Sequence, residues 1–252
     1  MTNASYPNHK FLFVIDNLST GGAQRQMVNL AVGLKKRGYQ IELFCYAAGD
    51  LLAQPLYDHE IPIHWQIKQS RYSPDVVFQL VNLIRKVRYD LLLAFQTTPN
   101  FYIIVSAMLS GRWKTPIIVS ERICDYPGWV SRQEILIRNL YRRSTFVVTN
   151  SHNQRFQLAK QYPFLNNRLR TIYNGYDLQF FHPPQIEPEN NPPRILVIAS
   201  VSYFKNGICL VRALKRLRDE YGLFVHVDWV GQREVTGHRL DALREMEREI
   251  QE

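Results

Sequence analysis

"KFLFVIDNLSTGGAQRQMVNLAVGLKKRGYQIELFCY", residues 10–46, decides the reading of the whole chain. KFLFVID is an unbroken apolar run ended by an acid, the pattern of a strand buried on both faces. Beyond it Ala23, Met27, Leu30, Ala31 and Leu34 recur at helical spacing, so one apolar face runs along a helix from about Ala23 to Arg37. Gly38 closes that helix as a C-cap, and QIELFCY is a second strand. A strand, a helix and a strand joined this tightly form a βαβ unit with parallel strands. The turn at its centre holds two adjacent glycines, Gly21 and Gly22. Two explanations stand side by side. The turn needs positive φ, or a ligand comes close to bare backbone at a helix N-terminus, where free N–H groups suit an anion. The pair is neither a G-x-G-x-x-G fingerprint nor a P-loop, which counts against dinucleotide and ATP-hydrolysing functions.

Outward from this unit the alternation continues. IPIHWQI is a weaker strand, and SPDVVFQLVNLIRKV is a helix with Ser73 as N-cap and Pro74 in its first position. Strands YDLLLAF, TPIIVSE, TFVVTN and LRTIYNG then alternate with helices NFYIIVSAMLSG, SRQEILIRNLYRR and SHNQRFQLAKQY. The expectation is an α/β fold, a complete Rossmann-like doubly wound domain over residues 10–181. HPPQIEPENNPP, residues 182–193, is a proline-rich linker. The pattern restarts over residues 194–252 with the first βαβα of a second Rossmann-like domain. Leu210, Val211, Leu214, Leu217 and Tyr221 share one face of its first helix. A domain of roughly 60 residues buries only about 60% of its unfolded surface, and two parallel strands leave an unpaired edge. The expectation is therefore an incomplete second domain.

Composition narrows the classes. The N-terminus has no basic segment ahead of a long apolar one, and no run is long enough to span a bilayer, so a cytosolic protein is expected. Three widely spaced cysteines make neither a fully paired disulfide framework nor a metal motif. Lys and Arg number 31 against 22 acids, a net charge of +9. Such an excess suits an anionic membrane surface, a phosphorylated substrate or nucleic acid, or is an ordinary basic surface. Most of the cations fall at the ends of helices, where they complement the helix dipole. No helix-turn-helix or aromatic-basic RNA motif is present, so nucleic acid is not expected.

The stretch ILVIASVSYFKNGICLVRAL sets Lys205 immediately before a helix. An ammonium beside a helix N-terminus concentrates positive potential as a diphosphate requires, although a single lysine is more often simply solvated. Together with NLSTGGAQRQMVNLAVGLKKRGY, VVTNSHNQRFQLAKQY and LRTIYNGYDLQFFHP, in this order, it resembles the retaining family 4 glycosyltransferases of the two-lobed GT-B fold. IYNGYDLQFF matches that family's strand-to-linker signature. The resemblance runs from Phe11 to about Gly231. It implies sugar transfer, with retention, from a nucleotide sugar to a glycan or lipid-linked acceptor, without a metal or other cofactor.

In the site that the resemblance implies, Gly21 and Gly22 approach the donor diphosphate and Lys205 neutralises it. Ser200 stands where the family often has an arginine. The loop SERICDYPGW puts Glu121 and Arg122 near the place of a family histidine. Glu121, Arg122 and Asn174 are acceptor-side candidates, with a buried ion pair of Arg122 with Glu121 or Asp125 as the structural alternative. His152, after Ser151, is expected only to begin a helix. The family's paired glutamates lie past Glu252, which implies a chain shortened in the donor lobe and impaired as a catalyst. The alternative is a non-catalytic lobe that binds a glycan or a partner transferase. Basic helices such as LVNLIRKVRYD are candidates for peripheral contact with anionic lipid.

Overall fold

A computed structural model describes residues 9–69, 73–122, 131–182, 192–231 and 238–251. The chain divides into two compact units, residues 1–178 and 179–252. Most of the expected linker, residues 183–191, lies outside the described residues.

The first unit is a parallel sheet of seven strands in the order β3-β2-β1-β4-β5-β6-β7. The strands are β1 (Lys10–Ile15), β2 (Gln40–Cys45), β3 (Ile63–Trp65), β4 (Leu91–Phe95), β5 (Ile117–Glu121), β6 (Phe146–Thr149) and β7 (Leu169–Thr171). The helices are α1 (Gly22–Lys35), α2 (Gln54–Asp58), α3 (Pro74–Lys86), α4 (Thr97–Leu109), α5 (Arg132–Leu140) and α6 (His152–Gln161).

Period-two alternation explains why β1 is apolar throughout. Leu12 and Val14 join Phe44, Leu92 and Ala94 in a core with Val76 and Leu80 of α3 and Ile103 and Ile104 of α4. Phe13 and Ile15 face the other way and pack with Leu43, Cys45, Leu93 and Phe95 against Met27, Val28 and Ala31 of α1. Each face is therefore covered by helices, and the sheet order reverses between β1 and β4.

Local signals behave as their chemistry requires. Gly38 has φ +90°, and the bonds Gly38 N–H to Lys35 O and Tyr39 N–H to Leu34 O make a Schellman closure of α1. Ser131 caps α5 with a reciprocal bond from Glu134, and Ser151 caps α6 through Gln154 N–H at 3.2 Å. Ser73 occupies the start of α3 but makes no capping bond there. Arg85, at the end of α3, donates to Leu109 O at 2.8 Å and so closes the neighbouring helix α4.

The second unit holds β8 (Arg194–Ile198), α7 (Gly207–Tyr221), β9 (His226–Val230) and α8 (His238–Gln251). Its two strands pair in parallel as a sheet of their own. Of the apolar face expected on α7, Leu210, Val211 and Leu214 meet Val227, Trp229, Met246 and Ile250 across a groove of about 330 Å³, whereas Leu217 does not line it and Tyr221 is exposed. Among the described residues of this unit only Val201, Gly207 and Ala242 are buried, so its core is thin. No described helix in either unit is long and apolar enough to cross a membrane.

Candidate functional site

In a doubly wound sheet the ligand crevice opens at the carboxyl ends of the strands, where the strand order reverses. In the first unit that edge carries the β1–α1 turn, the tips of β4 and β5, and the segment after β7.

The turn is pinned from several sides. Asp16 accepts from Asn17 N–H at 2.8 Å, and Asn17 Oδ1 accepts from Ser19 N–H at 2.9 Å. Leu18 N–H donates to Gly49 O, and Leu52 N–H returns to Leu18 O, both at 2.8 Å. The two glycines then differ. Gly21 has φ −178°, an extended backbone open to any residue, so the positive-φ explanation of the pair is wrong. A Cβ on Gly21 would instead lie 2.1 Å from Gln24 Oε1, because the Gln24 amide folds back to donate to Asp16 at 3.1 Å. A Cβ on Gly22 would meet nothing within 4 Å. Gly22 thus faces open space at the start of α1, where no side chain caps the helix and the first turn carries no acid. Nothing within α1 offsets the positive end of its first N–H groups, and the Asp16 carboxylate reaches the first turn only through the Gln24 amide.

Arg122 and Asn174 come together at the same edge. Arg122 Nη1 donates to Asn174 Oδ1 at 2.9 Å, and its guanidinium lies 3.7 Å above the Phe95 ring centre. Its Nε is buried without a hydrogen-bond partner among the described residues. Burial lowers the guanidinium to about 10, still cationic at neutral pH. Gln26 of α1 holds the adjoining segment with two bonds to Gly175, 2.9 and 3.0 Å long. Arg122, Phe95, Gln26 and Gly175, though not Asn174 itself, line a hollow of about 780 Å³ with Asn29, Tyr173, Tyr176 and Asp177 and with the apolar Val28, Leu30, Val32 and Ile172. The wall is largely apolar, and the Arg122 cation, the amides of Gln26 and Asn29 and the two phenols are the points on it that can meet hydroxyl-rich or anionic groups.

Glu121 does not face this hollow. It is 1% exposed and turned into the core, where Tyr141 Oη donates to it and Arg138 pairs with it at 3.5 Å. The acceptor-side role expected of Glu121 is corrected on that ground. Tyr141 also accepts from Asn100 at 3.0 Å, and burial together with Glu121 holds its hydroxyl well above the ordinary range. Asp125, the other partner weighed for Arg122, lies outside the described residues. His152 stands edge-on to Tyr173, ring centres 5.6 Å apart, at the start of α6. Sequence reasoning missed Gln96 at the tip of β4. Its φ of 78° and ψ of 157° belong to a region almost reserved for glycine. Its backbone bonds to Ser120 O and from Asn100 N–H hold it there.

In the second unit Ser200 and Lys205 flank one loop, from the end of β8 to the start of α7. Trp229 Nε1 donates to Ala199 O at 2.7 Å, and a Cβ on Gly231 would lie 2.0 Å from that oxygen. The loop base is thereby clamped. Lys205 is exposed, and α7 starts beside it with no acid in its first turn and no side-chain cap.

Residues 20–180 match the sequence profile of Glycosyltransferase Family 4. The chain belongs to that family. The match includes Gly21, Gly22, Arg122 and Asn174. No curated protein sequence matches this one.

Solved structures share the fold. HepE of Anabaena, in complex with UDP and glucose, aligns at a TM-score of 0.75 and 18% identity, over 97% of this chain and 66% of its own. A glycosyltransferase of Rickettsia africae aligns at 0.72 and 17%, over 98% and 66%. The UDP-GlcNAc 2-epimerase of Neisseria meningitidis bound to UDP-GlcNAc aligns at 0.58 and 16%, over 96% and 69%. The family 4 chain thus spans about two thirds of the length of these structures. Its α/β, Rossmann-like architecture is that of GT-B-like proteins, with a seven-stranded first unit and the βαβα of a second.

Proposed function

We propose that this glycosyltransferase-family chain acts on a nucleotide sugar, transferring the sugar with retention to a glycan or lipid-linked acceptor, without a metal or cofactor. The observation that carries the reading is the uncapped N-terminus of α1 behind Gly22, with no acid in its first turn, within the residues that match the family. The HepE complex with UDP and glucose and the epimerase complex with UDP-GlcNAc lend support, as folds of this kind that hold a nucleoside diphosphate beside a sugar and a nucleotide sugar, respectively.

Each unit brings its own share. In the first, bare backbone at Gly21 and Gly22 and the N–H groups of α1 suit phosphate oxygens. Arg122 and Asn174 suit acceptor hydroxyls or an acceptor phosphate. In the second, Lys205 and the Ser200 hydroxyl suit the diphosphate. As the nucleoside diphosphate departs, negative charge grows on its oxygens, and fixed positive groups lower that barrier. The proposed setting is the cytosol, with peripheral contact to anionic lipid.

Calorimetric titration with nucleoside diphosphates and nucleotide sugars tests this. Binding of at least one, weakened tenfold or more in Lys205→Ala, is expected; absence of all binding by the intact chain refutes it. Retention is read from the anomeric configuration of the product by NMR. A second reading, binding of a glycan or partner transferase by the first unit alone, is favoured by the thin core of the second. Acceptor binding with no donor binding distinguishes it.

A further inference from the structure

The edge of the first unit opposite its crevice, at the amino ends of β4, β5 and β6, has a composition that sugar transfer does not use. Two hollows, of about 490 and 580 Å³, meet there, and Trp113 lines both. Arg142 and Arg143 line the first, and Arg88, Arg112 and Lys114 line the second. Arg168 adds a sixth cation, its Nη1 already donating to Ser144 O. Among the described residues Asp90 is the one carboxylate in either lining, and it already accepts from Lys10 N–H at 2.9 Å.

Amid these cations stands apolar surface. Trp113 is 68% exposed, and Met108 and Leu109, at the adjoining end of α4, are exposed as well. The Lys114 ammonium lies over the Trp113 ring, 5.3 Å from its centre, so ring and charge leave the surface side by side.

We propose that this edge is a docking surface for an anionic phospholipid membrane. A cationic rim attracts headgroups, and an indole beside apolar residues partitions into the headgroup–acyl boundary. Nucleic acid fits less well, because its phosphates offer Met108 and Leu109 nothing apolar to enter. The inference locates the peripheral contact named above and moves it off α3, whose Arg85 is engaged in closing α4. It also sets the orientation of the first unit. β5 has five residues, and at a rise of about 3.3 Å per residue the surface and the crevice edge are ~16 Å apart across the sheet. The membrane is then a tether on the side away from the crevice. The inference does not depend on the chemistry proposed for that crevice.

The test is co-flotation of the whole chain with vesicles of phosphatidylcholine and phosphatidylglycerol, against phosphatidylcholine alone, over a salt series. Binding to the anionic vesicles only, weakening with salt, is expected. Each cation near such a surface contributes about fivefold in partitioning. The triple variant R112E/K114E/R143E should therefore lose at least a hundredfold, while R155E/K160E/K36E, exposed cations elsewhere, loses far less. Brominated acyl chains should quench Trp113 fluorescence, and W113F should remove that quenching. Circular dichroism checks that each variant folds. Equal binding to both vesicle types, equal loss in both triple variants, or unchanged quenching in W113F overturns the proposal. So does tighter binding to random duplex DNA at the same salt, which assigns the surface to nucleic acid. So does a dimer that only the first triple variant abolishes, which assigns it to a second copy of the chain.

Discussion

Replacing Gly22 by alanine separates a glycine kept for a ligand from a glycine kept for the fold. A Cβ there meets nothing within 4 Å, and Gly22 is not among the residues with positive φ. The folded state should accept the methyl without strain. The unfolded chain loses backbone freedom, which stabilises the protein by about 0.4–1 kcal/mol. For a unit ending at residue 178 that is a rise of about 1–4 °C in Tm. If donor phosphates approach the backbone at this point, the same methyl stands in their way, and nucleoside diphosphate affinity should fall at least tenfold, about 1.4 kcal/mol. Gly21→Ala should gain no such stability: its Cβ displaces the Gln24 amide and the 3.1 Å bond to Asp16, a loss of about 1 kcal/mol that offsets the same unfolded-state gain and leaves Tm within about 2 °C of the parent. Differential scanning calorimetry and isothermal titration on the two variants read both quantities. A Gly22→Ala protein that is more stable and binds the diphosphate as tightly as the parent refutes the close-approach argument.

Arg122→Ala removes the bond to Asn174 and the cation above Phe95. The acceptor KM should rise about tenfold or more with donor affinity unchanged; a loss confined to donor binding contradicts the placement. Glu121→Ala leaves Arg138 charged and buried without its carboxylate, so urea unfolding should show a loss of about 3–5 kcal/mol; a loss below about 1 kcal/mol removes the network from the account. Glu42 sets an acid limit. Its bond with His64, opposed by burial and supported by Lys10 and Tyr89, holds the carboxyl at about 2 instead of 4.5. A depressed carboxyl stabilises the fold above its unfolded value, and that contribution fades as pH falls from about 4.5 toward 2. At about 1.4 kcal/mol per unit the span is about 3 kcal/mol. Glu42→Gln should flatten the stability–pH curve over that range, and an unchanged slope refutes the assignment.

Strand and helix placement was legible because burial on both faces writes itself as continuous apolar strands, and one-sided helices as a stripe. Gly38 and Ser151 were legible too, since closing a helix end is a local hydrogen-bonding problem. The short helix α2, Gln54–Asp58, left no such mark, being too brief to show a period. Arg122 and Asn174 could be singled out one by one, but their bond joins positions 52 residues apart.

By itself the sequence determined a parallel α/β fold, a restart after the proline-rich stretch, and the glycine-opened helix as the place to look. Those follow from interactions within a few residues of each other. Only the tertiary structure decided that Gly21 is crowded by Gln24 while Gly22 is open, that Gln96 is held in a glycine-like conformation, and that Glu121 turns inward to Arg138 and Tyr141 while its neighbour Arg122 reaches the crevice. Alternation puts successive strand residues on opposite sides, but which side meets a buried cation and which an open hollow depends on helices far away in the chain.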